Sequence, residues 1–232
     1  MERGENVVPP LYRRRVLDAL FPLVCPGCGR GCGRRGSPVC VRCEPGLRHA
    51  LPAHPPAGVD AWWAAFAYEG VAREVVARVK YRGARAAVPW LADAMVHAMA
   101  HAMVHALDAP ALPVDVVTWA PTSRDRRRAR GFDPAELLAR AVGRRLGTRC
   151  VGLLDRRSGP PQTGLHGGER RRGPAHVVRR AVPPAVLVVD DVATTGATLA
   201  AAARALHGAG AHRVVALTAA RTPPPRAQLH SS

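Results

Sequence analysis

Residues 186–199 read Val186-Leu-Val-Val-Asp190-Asp191-Val-Ala-Thr194-Thr195-Gly196-Ala197-Thr198-Leu199. The apolar run 185–189 has the composition of a strand buried on both faces. It ends in two adjacent carboxylates, and a short stretch of hydroxyl and glycine residues then opens a helix expected over 196–207, stopped at Gly208. The first-turn amides of such a helix have no intrahelical partners, and the helix dipole adds partial positive charge. A phosphate seated there gathers amide hydrogen bonds. Gly196 lets the backbone approach without a Cβ in the way, and Thr194, Thr195 and Thr198 add hydroxyl donors around Ala197. Asp190 and Asp191 would repel that phosphate; they suit the hydroxyls of a sugar carrying it, or a nearby Mg²⁺ ion. A ribose 5-phosphate meets both requirements, and ligands of α/β sheets sit at the carboxyl ends of the strands.

Outward from this segment the chain alternates strand and helix patterns. Strands are expected at 62–68, 114–120, 150–154 and 213–219, and helices at 71–81, 91–107 and 135–146, with a further short helix at 11–20. Such alternation implies parallel pairing through right-handed crossovers, hence an α/β body with a parallel sheet flanked by helices. The expected divisions are a cysteine-bearing module and linker at 1–58, the α/β domain at 59–222 and a Pro-rich tail at 223–232. His97, His101 and His105 lie four apart on the long helix, where two could chelate a metal. Ala and Met fill the other faces, so a polar stripe beside a core face is the better reading.

The 232 residues suffice for one ordinary domain and a small appendage. With 47% hydrophobic and 4% aromatic residues, the core is expected to be Ala, Val and Leu. No apolar run approaches the length that crosses a bilayer, and residues 1–24 lack the apolar region and cleavage site of a secretory signal. The expected location is cytoplasmic, with no membrane insertion. The formal net charge of +17 suits a polyanionic partner such as nucleic acid or a phosphorylated metabolite. Heavy use of Ala, Gly, Pro and Arg gives that charge a compositional reading as well. Lys80, the only lysine, stands out against this background. Lysine is a compact, mobile point charge that arginine does not reproduce, which marks Lys80 as functional.

Cys25-Pro-Gly-Cys28 and Cys40-Val-Arg-Cys43 form two C-x2-C knuckles. Each presents two thiolates to one ion, and together they complete a tetrahedral site. A disulfide framework is disfavoured without a secretory signal, and a thioredoxin-like pair needs only one knuckle in a βα unit. A closed four-thiolate site leaves no open position for catalysis, so a Zn²⁺ held by Cys25, Cys28, Cys40 and Cys43 is expected to be structural. Cys32 is spare, and Cys150, in an apolar stretch, reads as a small core residue.

The segment VVDDVATTGATL resembles the PRPP-binding motif of type I phosphoribosyltransferases, and the wider pattern resembles the ComF family, which has competence- and gluconate-associated members. Lys80-Tyr81-Arg82-Gly83, then Ala120-Pro121-Thr122 leading to Arg130-Gly131-Phe132, then Gln162-Thr-Gly-Leu165 leading to Arg170-Arg171-Arg172 follow in the family's order. With the cysteine module, the resemblance covers about residues 15–221. It implies a type I phosphoribosyltransferase-like fold with PRPP on Asp190, Asp191 and 194–198, accompanied by Mg²⁺. It places a pyrophosphate loop, rich in arginine, after the 114–120 strand. Arg130 and Gly131 are its matched residues and Lys80 contributes. Arginine suits pyrophosphate because its planar fork makes bidentate contacts. The resemblance also makes 162–172, with Arg171 and Arg172, a flexible loop that closes over PRPP and excludes water. Relatives often carry Asn-Gln where this chain has Asp133-Pro134, and Asn where it has Gly173.

Three functions are compatible with these features. One is a PRPP-binding phosphoribosyltransferase-family protein that transfers phosphoribosyl to an acceptor and releases pyrophosphate. The second, implied by the ComF resemblance, is non-enzymatic handling of single-stranded DNA through the zinc module and basic loops. The third is a regulator that senses PRPP without turning it over. The aromatics, Trp62, Trp63, Phe66, Tyr81, Trp90, Trp119 and Phe132 among them, are not interleaved with the arginine clusters, which counts against base stacking.

Overall fold

The computed structural model describes residues 24–31, 37–105, 114–156 and 175–224. The expected helix at 11–20, Cys32, and the 162–172 loop with Arg171 and Arg172 lie outside the described residues. The strands are β1 (Ala61–Ala67), β2 (Val116–Trp119), β3 (Leu154–Arg156), β4 (His176–Val178), β5 (Ala185–Ala193) and β6 (Arg213–Arg221). The α-helices are α1 (Gly70–Tyr81), α2 (Val88–His105), α3 (Arg124–Arg130), α4 (Pro134–Leu146) and α5 (Ala197–Gly208).

Strands β1, β6, β5 and β2 form one sheet in that order, with every neighbouring pair parallel. Val186–Val189 of β5 and Val214–Leu217 of β6 are fully buried, as central parallel strands covered on both faces must be. One face packs against α1, α2 and α4 through residues such as Val75, Leu91 and Leu138. The other packs against α5 through Leu199, Ala202 and Leu206. Helix α4 starts with Asp133 as its cap and Pro134 inside its first turn, and it ends at Gly147 in the left-handed conformation.

Three expectations change. Residues 124–130, read as a loop, form helix α3: the Ser123 hydroxyl accepts from the Arg126 amide at 3.4 Å, and Gly131 closes the helix in the left-handed region. Residues 150–154 are not a strand of the main sheet. Cys150 makes a single parallel bridge to Val117, and β3, starting at Leu154, pairs antiparallel with β4 in a separate two-stranded sheet. Finally, β5 continues to Ala193, so Asp190 and Asp191 lie within the strand rather than after it. On α2, Asp93 stands one turn before the exposed His97 and His101 and pairs with Arg145 of α4, which makes this face a polar stripe. Among the described residues, no helix is long and apolar enough to cross a membrane.

Candidate functional site

The chain leaves β2 towards α4 on one face of the sheet and leaves β5 towards α5 on the other. Because these are adjacent parallel strands, their following loops diverge, which opens a crevice outside their carboxyl ends. Asp190 and Asp191 come from β5, the 121–123 segment from β2, and Lys80 from the last turn of α1.

Lys80 Nζ lies 2.7 Å from Asp191 Oδ1, and both side chains are only about 15% exposed. Burial works against the Lys80 ammonium, but the adjacent Asp191 carboxylate outweighs it, and the pKa rises above the ordinary lysine value. Asp190 is half-buried, and its Oδ1 accepts from the Asp191 amide at 2.7 Å. Burial first, then the charge of Asp191, push the Asp190 carboxyl well above the usual carboxylate range. The structure thus brings Lys80, Asp190 and Asp191 together at the end of β5.

A third carboxylate, that of Asp133, is almost fully buried behind the crevice. It accepts from Ala135 N at 3.1 Å, capping α4, and from Thr122 N at 2.9 Å, which pins the turn leaving β2. Burial raises its pKa, with the two amides opposing. The sequence signal for this role was an Asp-Pro pair ahead of a helical pattern, a helix-start signature. Arg130, at the end of α3, donates from Nη2 to Tyr81 Oη at 2.8 Å, and its guanidinium lies 4.5 Å from the Tyr81 ring centroid. The arginine helix and the Lys80 helix therefore meet at the residue next to Lys80. Arg130 and Gly131 belong to a helix end rather than to a free loop.

Thr194 and Thr195 are exposed, and Gly196 is the N-cap of α5 with φ 73° and no side-chain cap. The Thr195 hydroxyl reaches the Ala197 amide at only 3.4 Å, so the first-turn amides of α5 have weak local partners. Gly196 also has a structural reason to be glycine. A Cβ there would fall 2.6 Å from Pro56 Cγ, and the positive φ disfavours any other residue. Pro56 thus fills the side of Gly196 where a Cβ would stand.

The Sγ atoms of Cys25, Cys28, Cys40 and Cys43 all lie within 4.8 Å of one another, with Cys28 and Cys40 at 3.8 Å. Zn–S bonds of about 2.3 Å put the corners of a tetrahedron about 3.8 Å apart, so the four thiols could hold a metal such as zinc. The amides of Gly27 and Cys40 lie 3.4 and 3.3 Å from Cys25 Sγ. Burial opposes a Cys25 thiolate, yet these amides prevail and bring it down to about 6. Burial, followed by the neighbouring sulfurs, pushes Cys43 up to about 12. Cys150, half-buried against the core, is pushed up to about 11 by burial and stands apart from the cluster. No protein-family model and no curated protein matches the chain, and the chemistry of the site follows from its own residues.

Proposed function

We propose that the chain binds a phosphorylated ribose of the PRPP type in the crevice at the carboxyl ends of β2 and β5, and acts as a phosphoribosyltransferase-type protein. The observation that carries this reading is one juxtaposition. Asp190 and Asp191, with Lys80 on Asp191, stand beside a helix start whose amides lack a side-chain cap. The 5-phosphate would take the amides and hydroxyls of 194–198. The carboxylates would orient the ribose hydroxyls and a Mg²⁺ ion, and Lys80 and Arg130 would supply cationic charge to the pyrophosphate. Zn²⁺ on the four cysteines is structural in this reading, because no ligand position is left open.

Calorimetry with PRPP and with ribose 5-phosphate, each with and without Mg²⁺, tests it. Thr195→Val is expected to weaken both ligands by about 1.5–3 kcal/mol, the worth of a charge-assisted hydrogen bond. Lys80→Met is expected to weaken PRPP while leaving ribose 5-phosphate close to wild type. Pyrophosphate release in a screen of acceptors then separates a transferase from a sensor. If the wild type fails to bind PRPP at millimolar concentration, the reading is rejected.

A further inference from the structure

A second cleft, of about 670 Å³, opens on the α5 side of the sheet between the 53–56 linker and the end of β6 with the 222–224 segment that follows it. That volume lies in the range of small-molecule sites, about 300–1,000 Å³. It shares Thr194 and Thr195 with the proposed phosphate loop, but neither Lys80 nor Asp190 nor Asp191 lines it, and Trp62 and Arg221 have no part in the phosphoribosyl reading.

Its lining is selective in three ways. Trp62 presents an indole held in place, its Nε1 donating to Thr218 Oγ1 at 3.2 Å. The guanidinium of Arg221 lies 5.4 Å from the Trp62 ring centroid and donates from Nη2 to the Leu51 carbonyl at 2.6 Å. No carboxylate lines the cleft, and Arg221 has no carboxylate partner among the described residues. Burial holds its pKa below the ordinary guanidinium value, which fits a charge without a counter-ion. The rim is stiff: Pro55 and Pro56 on one side and Pro223 and Pro224 on the other have little rotamer freedom to lose on binding. Thr194, Thr195 and Thr222 add hydroxyls to the lining, and His54 adds an imidazole.

A flat ring finds an indole face and proline faces here, and an anion finds a guanidinium that has no carboxylate partner among the described residues, with hydroxyl donors nearby. We propose that this cleft is a binding site for a flat aromatic anion, its ring against Trp62 and its carboxylate or phosphate towards Arg221.

The test uses three probes on the purified full-length chain, followed by calorimetry and by ligand-detected NMR. They are 2-naphthoate, the neutral 2-naphthalenemethanol, and the non-planar cyclohexanecarboxylate. 2-Naphthoate is expected to bind about tenfold more tightly than either control, a factor within the worth of one aromatic stack or one charged hydrogen bond. Trp62→Leu should weaken 2-naphthoate about tenfold, whereas Trp62→Phe should stay within about threefold of wild type. Arg221→Met should bring 2-naphthoate down to the level of the alcohol. Equal affinity for all three probes, or 2-naphthoate binding indifferent to Trp62→Leu, overturns the proposal. Melting curves confirm that the variants fold; should Trp62→Leu not fold, Arg221→Met decides. A PRPP titration on the same samples tells the two readings apart: PRPP binding without naphthoate binding sinks this cleft alone, and the reverse sinks only the phosphoribosyl reading.

Discussion

Asp190 sits where β5 leaves the core, and the fold raises its pKa through burial and through the neighbouring Asp191 charge. The sign of the consequence follows from proton binding. Above the ordinary carboxylate value of about 3.9, the unfolded chain has already lost this proton while the folded chain still holds it. Stability therefore falls as pH rises from there through the raised folded value. The Lys80–Asp191 pair does not obscure this. The raised lysine contributes stability that is fully present below its unfolded value of about 10.4 and is lost only as pH climbs through its folded value. Asp190→Asn keeps an oxygen that can accept from the Asp191 amide and removes the titration. It is expected to melt higher than wild type at pH 7–8, with the gain shrinking towards pH 4. A constant difference across that range would show that Asp190 titrates normally. Gly196 makes the opposite case. Gly196→Ala meets both a positive φ and Pro56, so it is expected to lower the midpoint with no ligand present. What the sequence concealed at this scale was the through-space pairing. Lys80 was conspicuous as the only lysine, but its partner Asp191 is 111 positions away, and Pro56 could not be foreseen against Gly196.

Helix α1 shows how elements share work. Val71, near its start, fills the space beside Gly27 and Gly46, where added Cβ atoms would come within 3.0 and 2.8 Å of its methyls. Arg78 lies over Gly29, the residue that follows the first knuckle. Val75, Val76 and Val79 enter the same core cluster as Cys25, Val39 and Cys43, and Lys80 follows directly. The thiol cluster and the crevice are therefore joined by one helix of twelve residues. With the four thiols loaded with zinc, removing the ion with a chelator under reducing conditions is expected to speed amide exchange at least about tenfold along 70–81, while α5 amides stay protected. If α1 keeps its protection in metal-free protein, the module is an independent appendage. Elements of this kind were legible where apolar patterning was strong, as in α1, β5 and β6, or where a cap residue added to it, as in α4. Helix α3 was not, because Arg124–Arg130 has no apolar face; its signals were Ser123 and Gly131 at the two ends. The β3–β4 pair was hidden by its brevity, three residues in each strand, and by partners distant in sequence.

At the scale of the whole molecule, the net charge of +17 is unevenly compensated. On α3, Arg124 pairs with Asp155 at 3.2 Å and Arg127 with Glu136 at 3.4 Å, so part of the basic run is engaged locally. Arg126 and Arg128 are exposed on the same helix, and Arg126 faces Arg156 closely enough to lower its pKa further after burial has done so. Like charges held together in this way favour an anionic partner, and a single-stranded nucleic acid supplies phosphates in a row. Charge alone predicts binding that weakens steeply with salt. Each phosphate contact contributes about 0.7 to the slope of log affinity against log salt concentration for single strands. Replacing Arg126, Arg127 and Arg128 together with serine is expected to reduce that slope by about 1.4 to 2. The lower figure corresponds to Arg127 remaining committed to Glu136. Fluorescence anisotropy with a labelled oligonucleotide, between 50 and 200 mM salt, measures it directly. A slope unchanged in the triple variant would place the contacts elsewhere on the surface. No binding at 50 mM salt would leave the charge as composition, serving solubility rather than recognition.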